Sequence, residues 1–115
     1  RLLDQVTALG GVLIVTADHG NADDMWIRDK NGAPRRNGPT VVAKTSHTLA
    51  PVPLTIVDTR SPQPWHLRAD LPAAGLANVA ATCFDLMGFA PPADMAPSLI
   101  EAPQPAAALS SDEQL

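Results

Sequence analysis

At 115 residues, with a formal net charge of -4 and a pI near 5.1, the chain has room for at most one small domain. The acidic balance disfavours a phosphate-backbone partner, because nucleic-acid binders carry a basic face, so no nucleic-acid partner is expected. No apolar run approaches the roughly 18 residues a membrane span needs and no charged-then-apolar leader is visible, so neither a membrane nor a secretory destination is expected.

In chain order, Leu2, Leu3, Val6 and Leu9 recur at helical spacing, and Gly10-Gly11 supplies a stop that tolerates left-handed backbone. A helix over about Leu2 to Leu9 is therefore expected. The next run, Val12-Leu13-Ile14-Val15, is wholly apolar and has three β-branched members, so it reads as a strand to about Thr16, buried on both faces in the manner of a parallel sheet. Helix then strand is a unit of a doubly wound α/β sheet. Asp18 and His19 follow directly, at the carboxyl end of the strand, where ligands bind in open α/β sheets. Residues 22–46 are polar, with Asn31-Gly32 and Asn37-Gly38 as turn signals, and read as a functional loop or a small surface hairpin.

His47 comes next, just before a second strand expected over Val52 to Val57. Pro51 and Pro53 near its start mark a strand that enters late or lies at an edge. Residues 59–75 read as an irregular crossing that carries Trp65 and His66. A second helix follows, with Asn78 as N-cap, Val79, Ala80, Cys83, Phe84 and Met87 as its apolar face, and Gly88 as its stop. After Pro91-Pro92, Met95 to Ile100 reads as a short ordered patch. Residues 102–115, rich in Pro, Ala, Ser and acidic side chains, read as a disordered tail.

Two strands and two helices cannot close a doubly wound sheet. The chain opens on Arg1 without an initiator methionine, so it reads as a piece of a longer enzyme domain or a processed product. The single cysteine, Cys83, has no internal partner, which suits a reducing, cytoplasmic setting.

A bare Asp-His-Gly is most often a capping carboxylate and a loop histidine. A second histidine at another strand end changes that weighting, because Asp18, His19 and His47 together could serve a pair of neighbouring metals. Sites with two ions about 3.5–4 Å apart are a common solution for moving phosphoryl groups. Carboxylate and neutral imidazole suit manganese or zinc better than calcium, with affinity falling as the histidines protonate. The remaining candidates are bland. Arg35-Arg36 reads as a solvated pair and His66 as a loop residue. Trp26 and Trp65 read as loop-packing side chains, and Cys83 as a buried, inert thiol.

Three ordered blocks carry a family resemblance: Ala17-Asp18-His19-Gly20-Asn21-Ala22-Asp23-Asp24-Met25, Thr45-Ser46-His47-Thr48-Leu49-Ala50-Pro51-Val52-Pro53, and Gly75-Leu76-Ala77-Asn78-Val79-Ala80-Ala81-Thr82. They resemble the C-terminal segment of the cofactor-independent phosphoglycerate mutases, in the alkaline-phosphatase superfamily, over about residues 1–101. The long loop and the Thr-Ser-His-Thr form resemble the plant and trypanosomatid branch. The resemblance implies the C-terminal part of an alkaline-phosphatase-like, doubly wound α/β domain. It implies two Mn2+, with Mg2+, Co2+ or Zn2+ as replacements, Asp18 and His19 on the serine-side ion and His47 on its neighbour. It also implies interconversion of 3-phosphoglycerate and 2-phosphoglycerate through a phosphoserine, in a monomeric parent acting on this small-molecule substrate. The nucleophilic serine, the other ligands and the phosphate-holding side chains would lie upstream, so no catalytic residue is assigned within this chain. Two other readings stand beside it: another superfamily hydrolase or a phosphopentomutase, and an inert fragment with weak metal binding.

Overall fold

The first turn signals act where expected. Helix α1 spans Leu2–Ala8 and ends through Leu9, and Gly10 takes a φ of 62°, the left-handed backbone that glycine adopts without a Cβ clash. None of its residues is fully buried; Leu2, Leu3 and Leu9 are exposed, and of its apolar stripe Val6 alone is partly covered. Those residues are 1–60, 62 and 65–101 of the computed structural model, and the expected tail at 102–115 lies outside them.

Strand β1, Val12–Val15, pairs with β4, Thr55–Asp58. The burial on both faces expected of β1 is not seen among the described residues, and its neighbour there runs antiparallel to it. Thr59, just after β4, donates its N–H at 3.2 Å and its hydroxyl at 2.7 Å to the carbonyl of Gly11, just before β1. The start of one strand therefore meets the end of the other, which is the antiparallel sense. Val12 to Ile14 are half-buried and Val15 is exposed. An apolar run needs neighbours on both sides to be covered, and β4 is the one neighbour found among the described residues. β4 also begins three residues later than Val52, because Pro51 and Pro53 bring no N–H to a ladder.

The described residues divide into two compact units, one from Leu13 to Val57 and one made of Arg1–Val12 with the residues from Asp58 onward. In the first, the polar excursion is a surface hairpin. Arg36–Asn37 (β2) and Thr40–Val41 (β3) pair antiparallel, with Arg36 opposite Val41 and Asn37 opposite Thr40. The two-residue turn is therefore Gly38-Pro39, with Gly38 at φ 59° in the position a primed turn reserves for glycine. Bridges between Trp26 and Ala43 and between Arg28 and Pro34 extend the pairing on either side.

In the second unit, α2 spans Val79–Leu86 behind a single 3-10 turn at Leu76–Asn78, and Gly88 stops it at φ 80°. Asn78 does not cap α2 with its side chain. Its Oδ1 accepts the Gly75 N–H at 2.8 Å and its Nδ2 donates to the Pro97 carbonyl at 2.7 Å. One turn on, the fully buried Thr82 hydroxyl donates to the Asn78 carbonyl and accepts the Leu99 N–H at 2.9 Å. These polar stitches hold Asn78, Ala81, Thr82 and Leu86 inward, while Ala80 and Met87 of the expected apolar face stay exposed and Cys83 is only half-buried. Residues 66 and 67 form β5, paired antiparallel with β6, Ile100–Glu101, so His66 stands on a strand and not in a loop.

Asp58 closes this unit. Its carboxylate, with no exposed side-chain surface, accepts bonds from Arg60 Nε at 2.9 Å and Nη2 at 2.8 Å, and from Trp65 Nε1 at 2.7 Å. Arg60 Nη1 also reaches the Leu86 carbonyl at the end of α2, at 2.9 Å. The Arg60 bonds, more than burial opposes them, hold the Asp58 carboxyl well below the ordinary carboxylate range, with Trp65 assisting. A depressed folded-state pKa contributes stability that is present in full above the ordinary value of 3.8 and is lost as the pH falls below it. In the full-length protein, Asp58→Asn is expected to cost about 1–3 kcal/mol at pH 7, where charge-assisted bonds are lost, and to flatten the fall in stability below pH 4. Urea denaturation at the two pH values reads both, and a cost within about 0.5 kcal/mol at neutral pH would place Asp58 among ordinary surface positions.

Ala81, Leu86 and Ile100 are the buried hydrophobic side chains among the described residues. That core is too small to offset backbone ordering of about 1–2 kcal/mol per residue. The isolated 115-residue chain is expected to melt broadly by circular dichroism, and a sharp two-state transition for a monomer would show it to be self-sufficient. No helix of the described residues is long and apolar enough to cross a membrane.

Candidate metal centre

β1 ends at Val15, and three residues later the chain reaches Asp18. Asp18 is open, with 89% of its side chain exposed, and His19 is partly covered at 32%. The His19 ring is oriented by its own backbone: Nδ1 lies 2.9 Å from the Gly20 carbonyl. A carbonyl only accepts, so Nδ1 carries the proton and the neutral ring keeps its lone pair on Nε2, the tautomer a metal ligand requires. Nε2 lies 3.5 Å from Asp18 Oδ1, beyond good hydrogen-bond range. Two ligands bound at about 2.1 Å in tetrahedral geometry stand roughly 3.4 Å apart, so the pair is spaced like two donors facing one cation.

His47 arrives from the other side of the hairpin. Gly20 and Thr48 form an antiparallel bridge that exchanges both backbone bonds, Gly20 N–H to the Thr48 carbonyl at 3.3 Å and Thr48 N–H to the Gly20 carbonyl at 3.0 Å. The residues just before each bridged position, His19 and His47, are then diagonal neighbours on one face, within reach of aromatic side chains. Their rings stack, with centroids 3.5 Å apart and planes 21° from parallel. His19 thus stands beside both of the other residues singled out in the sequence, Asp18 on one side and His47 on the other. Among the described residues no three His, Cys, Asp or Glu side chains form a group able to hold an ion by themselves. Carboxylate plus neutral imidazole nevertheless fits a divalent transition ion, and an Asp18–His19 pair beside His47 fits a set divided between two ions.

Three neighbours were visible in the sequence only as surroundings. Asp23 Oδ2 accepts the Thr48 hydroxyl at 2.6 Å, and Oδ1 accepts the Asn21 N–H at 2.7 Å. The Thr48 bond, above all, holds the Asp23 carboxyl below its ordinary value. Asp24 is lowered by its bond from Lys44, 3.0 Å away, with Arg28 at 3.4 Å adding to it. Gly20 is buried, and a Cβ there would collide with Thr48 Oγ1 and lie 2.7 Å from Asp23 Oδ1. The adjacent acids just behind His-Gly-Asn were the available signal, but nothing in sequence says which of two neighbouring carboxylates meets Thr48. Arg35 and Arg36 are exposed, as expected, and Arg36 donates to the Pro39 carbonyl of its own turn. Trp26 is 42% exposed on the hairpin, whereas Trp65 is half-buried against Asp58. His66 faces Glu101 at 3.1 Å on an exposed surface.

The profile of the Metalloenzyme superfamily matches residues 1–91. Over 102 residues the chain is 52% identical to a 2,3-bisphosphoglycerate-independent phosphoglycerate mutase of Trypanosoma brucei brucei, covering 88% of this chain and 18% of that protein. It is 47% identical to the enzyme of the same name from Ricinus communis, again over 88% of this chain and 18% of that one. Among solved structures, Leishmania mexicana phosphoglycerate mutase at low cobalt concentration aligns with a TM-score of 0.78 and 52% identity, covering 89% of this chain and 19% of that chain. The chain thus spans about a fifth of the length of these relatives, with a trypanosomatid and a plant among them.

Proposed function

The chain belongs to the metalloenzyme superfamily, and from that membership we propose that residues 1–101 are the C-terminal, metal-holding part of one phosphatase-like domain in a cofactor-independent phosphoglycerate mutase. The reaction is the interconversion of 3-phosphoglycerate and 2-phosphoglycerate through a phosphoserine whose serine lies upstream. The stacked pair His19–His47 carries this reading. Face-to-face rings 3.5 Å apart suit imidazoles that serve two ions side by side, since ions in two-metal phosphoryl-transfer sites are about 3.5–4 Å apart.

Asp18 and His19 would hold one divalent ion and His47 its neighbour, with Mn2+ proposed and Co2+, Mg2+ or Zn2+ as substitutes. When bound, such ions stabilise charge on the transferring group and lower the pKa of the attacking hydroxyl. This chain's own residues contribute position. Gly20 leaves room for the Thr48 hydroxyl and the Asp23 carboxylate at the bridge, and its carbonyl keeps the proton of His19 on Nδ1, away from the ligand face. A monomeric, cytoplasmic parent completes the reading.

The full-length protein should convert 3-phosphoglycerate to 2-phosphoglycerate without added 2,3-bisphosphoglycerate, lose the activity to a chelator, and recover it with Mn2+. The isolated 115 residues should give no turnover, because on this reading the nucleophilic serine and the phosphate-holding side chains lie upstream. Phosphate release from simple monoesters at rates above the mutase rate would favour a hydrolase of the same superfamily.

A further inference from the structure

The stack of His19 on His47 depends on register. A slip of one residue between the two segments would send one ring to the opposite face, so something must pin the pairing. Two backbone bonds at a single isolated bridge are a weak pin by themselves. On the face away from the rings the same bridge carries a side-chain connection: the buried Thr48 hydroxyl donates to Asp23 Oδ2 at 2.6 Å, and Asp23 Oδ1 turns back to accept Asn21 N–H at 2.7 Å. The absence of a side chain on Gly20 is what lets this connection close over the bridge.

We infer that Asp23 and Thr48 are positioning residues, a latch that fixes the register of the two histidine-bearing segments and so sets how tightly the divalent ions are held. The latch rests on the metal-centre reading above. Asp23 is not assigned as a ligand; its carboxylate oxygens accept from the Thr48 hydroxyl and the Asn21 N–H. Its action passes through the backbone: the Thr48 bond fixes residue 48, residue 48 fixes the bridge, and the bridge fixes the diagonal on which the imidazoles meet. Partners one step removed from a metal ligand typically govern affinity by about 10–100-fold.

The test is calorimetric titration of the metal-stripped full-length protein with Co2+, combined with the visible spectrum of the bound cobalt. Thr48→Val and Asp23→Ala remove the same hydrogen bond from opposite ends, so the failure of one to fold leaves the other to decide. Each is expected to weaken cobalt binding by about 10–100-fold and to alter the spectrum. The double variant should be no worse than either single one, and Thr48→Ser, which keeps the hydroxyl, should restore both affinity and spectrum. A merely structural contact would lower the melting temperature and leave cobalt affinity and spectrum unchanged, and that result overturns the latch. His47→Ala separates the two levels. If it loses one cobalt while the Asp23 and Thr48 variants bind normally, the latch alone fails; if it keeps both at full affinity, the metal-centre reading fails and the latch with it.

Discussion

On the proposed assignment, Asp18→Asn and His47→Ala in the full-length protein are each expected to abolish mutase activity, but by losing different ions. Asp18 stands with His19, whose Nε2 is 3.5 Å away, so on the proposed assignment its loss empties the serine-side ion and prevents formation of the phosphoserine. His47 meets His19 only through the stacked faces of the rings, and its loss empties the neighbouring ion, impairing transfer from and to the substrate. The expected loss in each case exceeds the roughly 10–100-fold typical of outer-shell partners, because a direct donor is removed. Trapping the phosphoenzyme by mass spectrometry and counting manganese in each variant distinguishes the two routes. An exposed carboxylate and a loop histidine with no such duty would cost within about 0.5 kcal/mol of stability and leave turnover intact.

Gly20→Ala is the other change with a large expected effect. Its Cβ would meet the Thr48 hydroxyl and the Asp23 carboxylate, and these atoms belong to a buried, β-branched side chain and to a carboxylate fixed by two bonds. Overpacking of this kind costs about 1–3 kcal/mol. The larger consequence is functional, since relief of the clash opens the bridge that brings His19 to His47. Gly32→Ala is the contrasting substitution. Gly32 has a φ of 82° and open space around its Cβ position, so alanine there pays a backbone penalty of about 1–2 kcal/mol without touching the site. Cobalt affinity measured on both variants should fall only for Gly20→Ala; equal retention by the two would detach Gly20 from the centre.

Local signals carried most of the fold. Apolar spacing and the Gly10 and Gly88 stops located both helices to within a residue or two, and the two prolines before β4 announced its late start. Features that depend on distant partners were not legible. β5 and β6 have two residues each and pair across more than thirty residues, so neither shows periodicity. The inward face of α2 is turned away from its most apolar stripe because Asn78 and Thr82 bond to Pro97 and Leu99, and hydrophobic patterning is blind to such bonds. The apolar run of β1 spoke for full burial, and its partial cover reflects how few neighbours the described residues supply.

The site divides the same way. Asp18, His19 and His47 stood out in the sequence because metal-ligating residue types at strand ends are unusual and the surrounding blocks resemble a family with known chemistry. Their meeting as a stacked pair was not, because it needs the register of a bridge between residues twenty-eight apart. Asp23 and Thr48 act through that register, and neither residue type is distinctive in a loop.

Anomalous scattering at the manganese edge, from crystals of the full-length protein, tests the central assignment most directly. Two peaks are predicted, one bonded to Asp18 and His19 and the other to His47, separated by about 3.5–4 Å. A single peak, or manganese bound away from these three side chains, would contradict it.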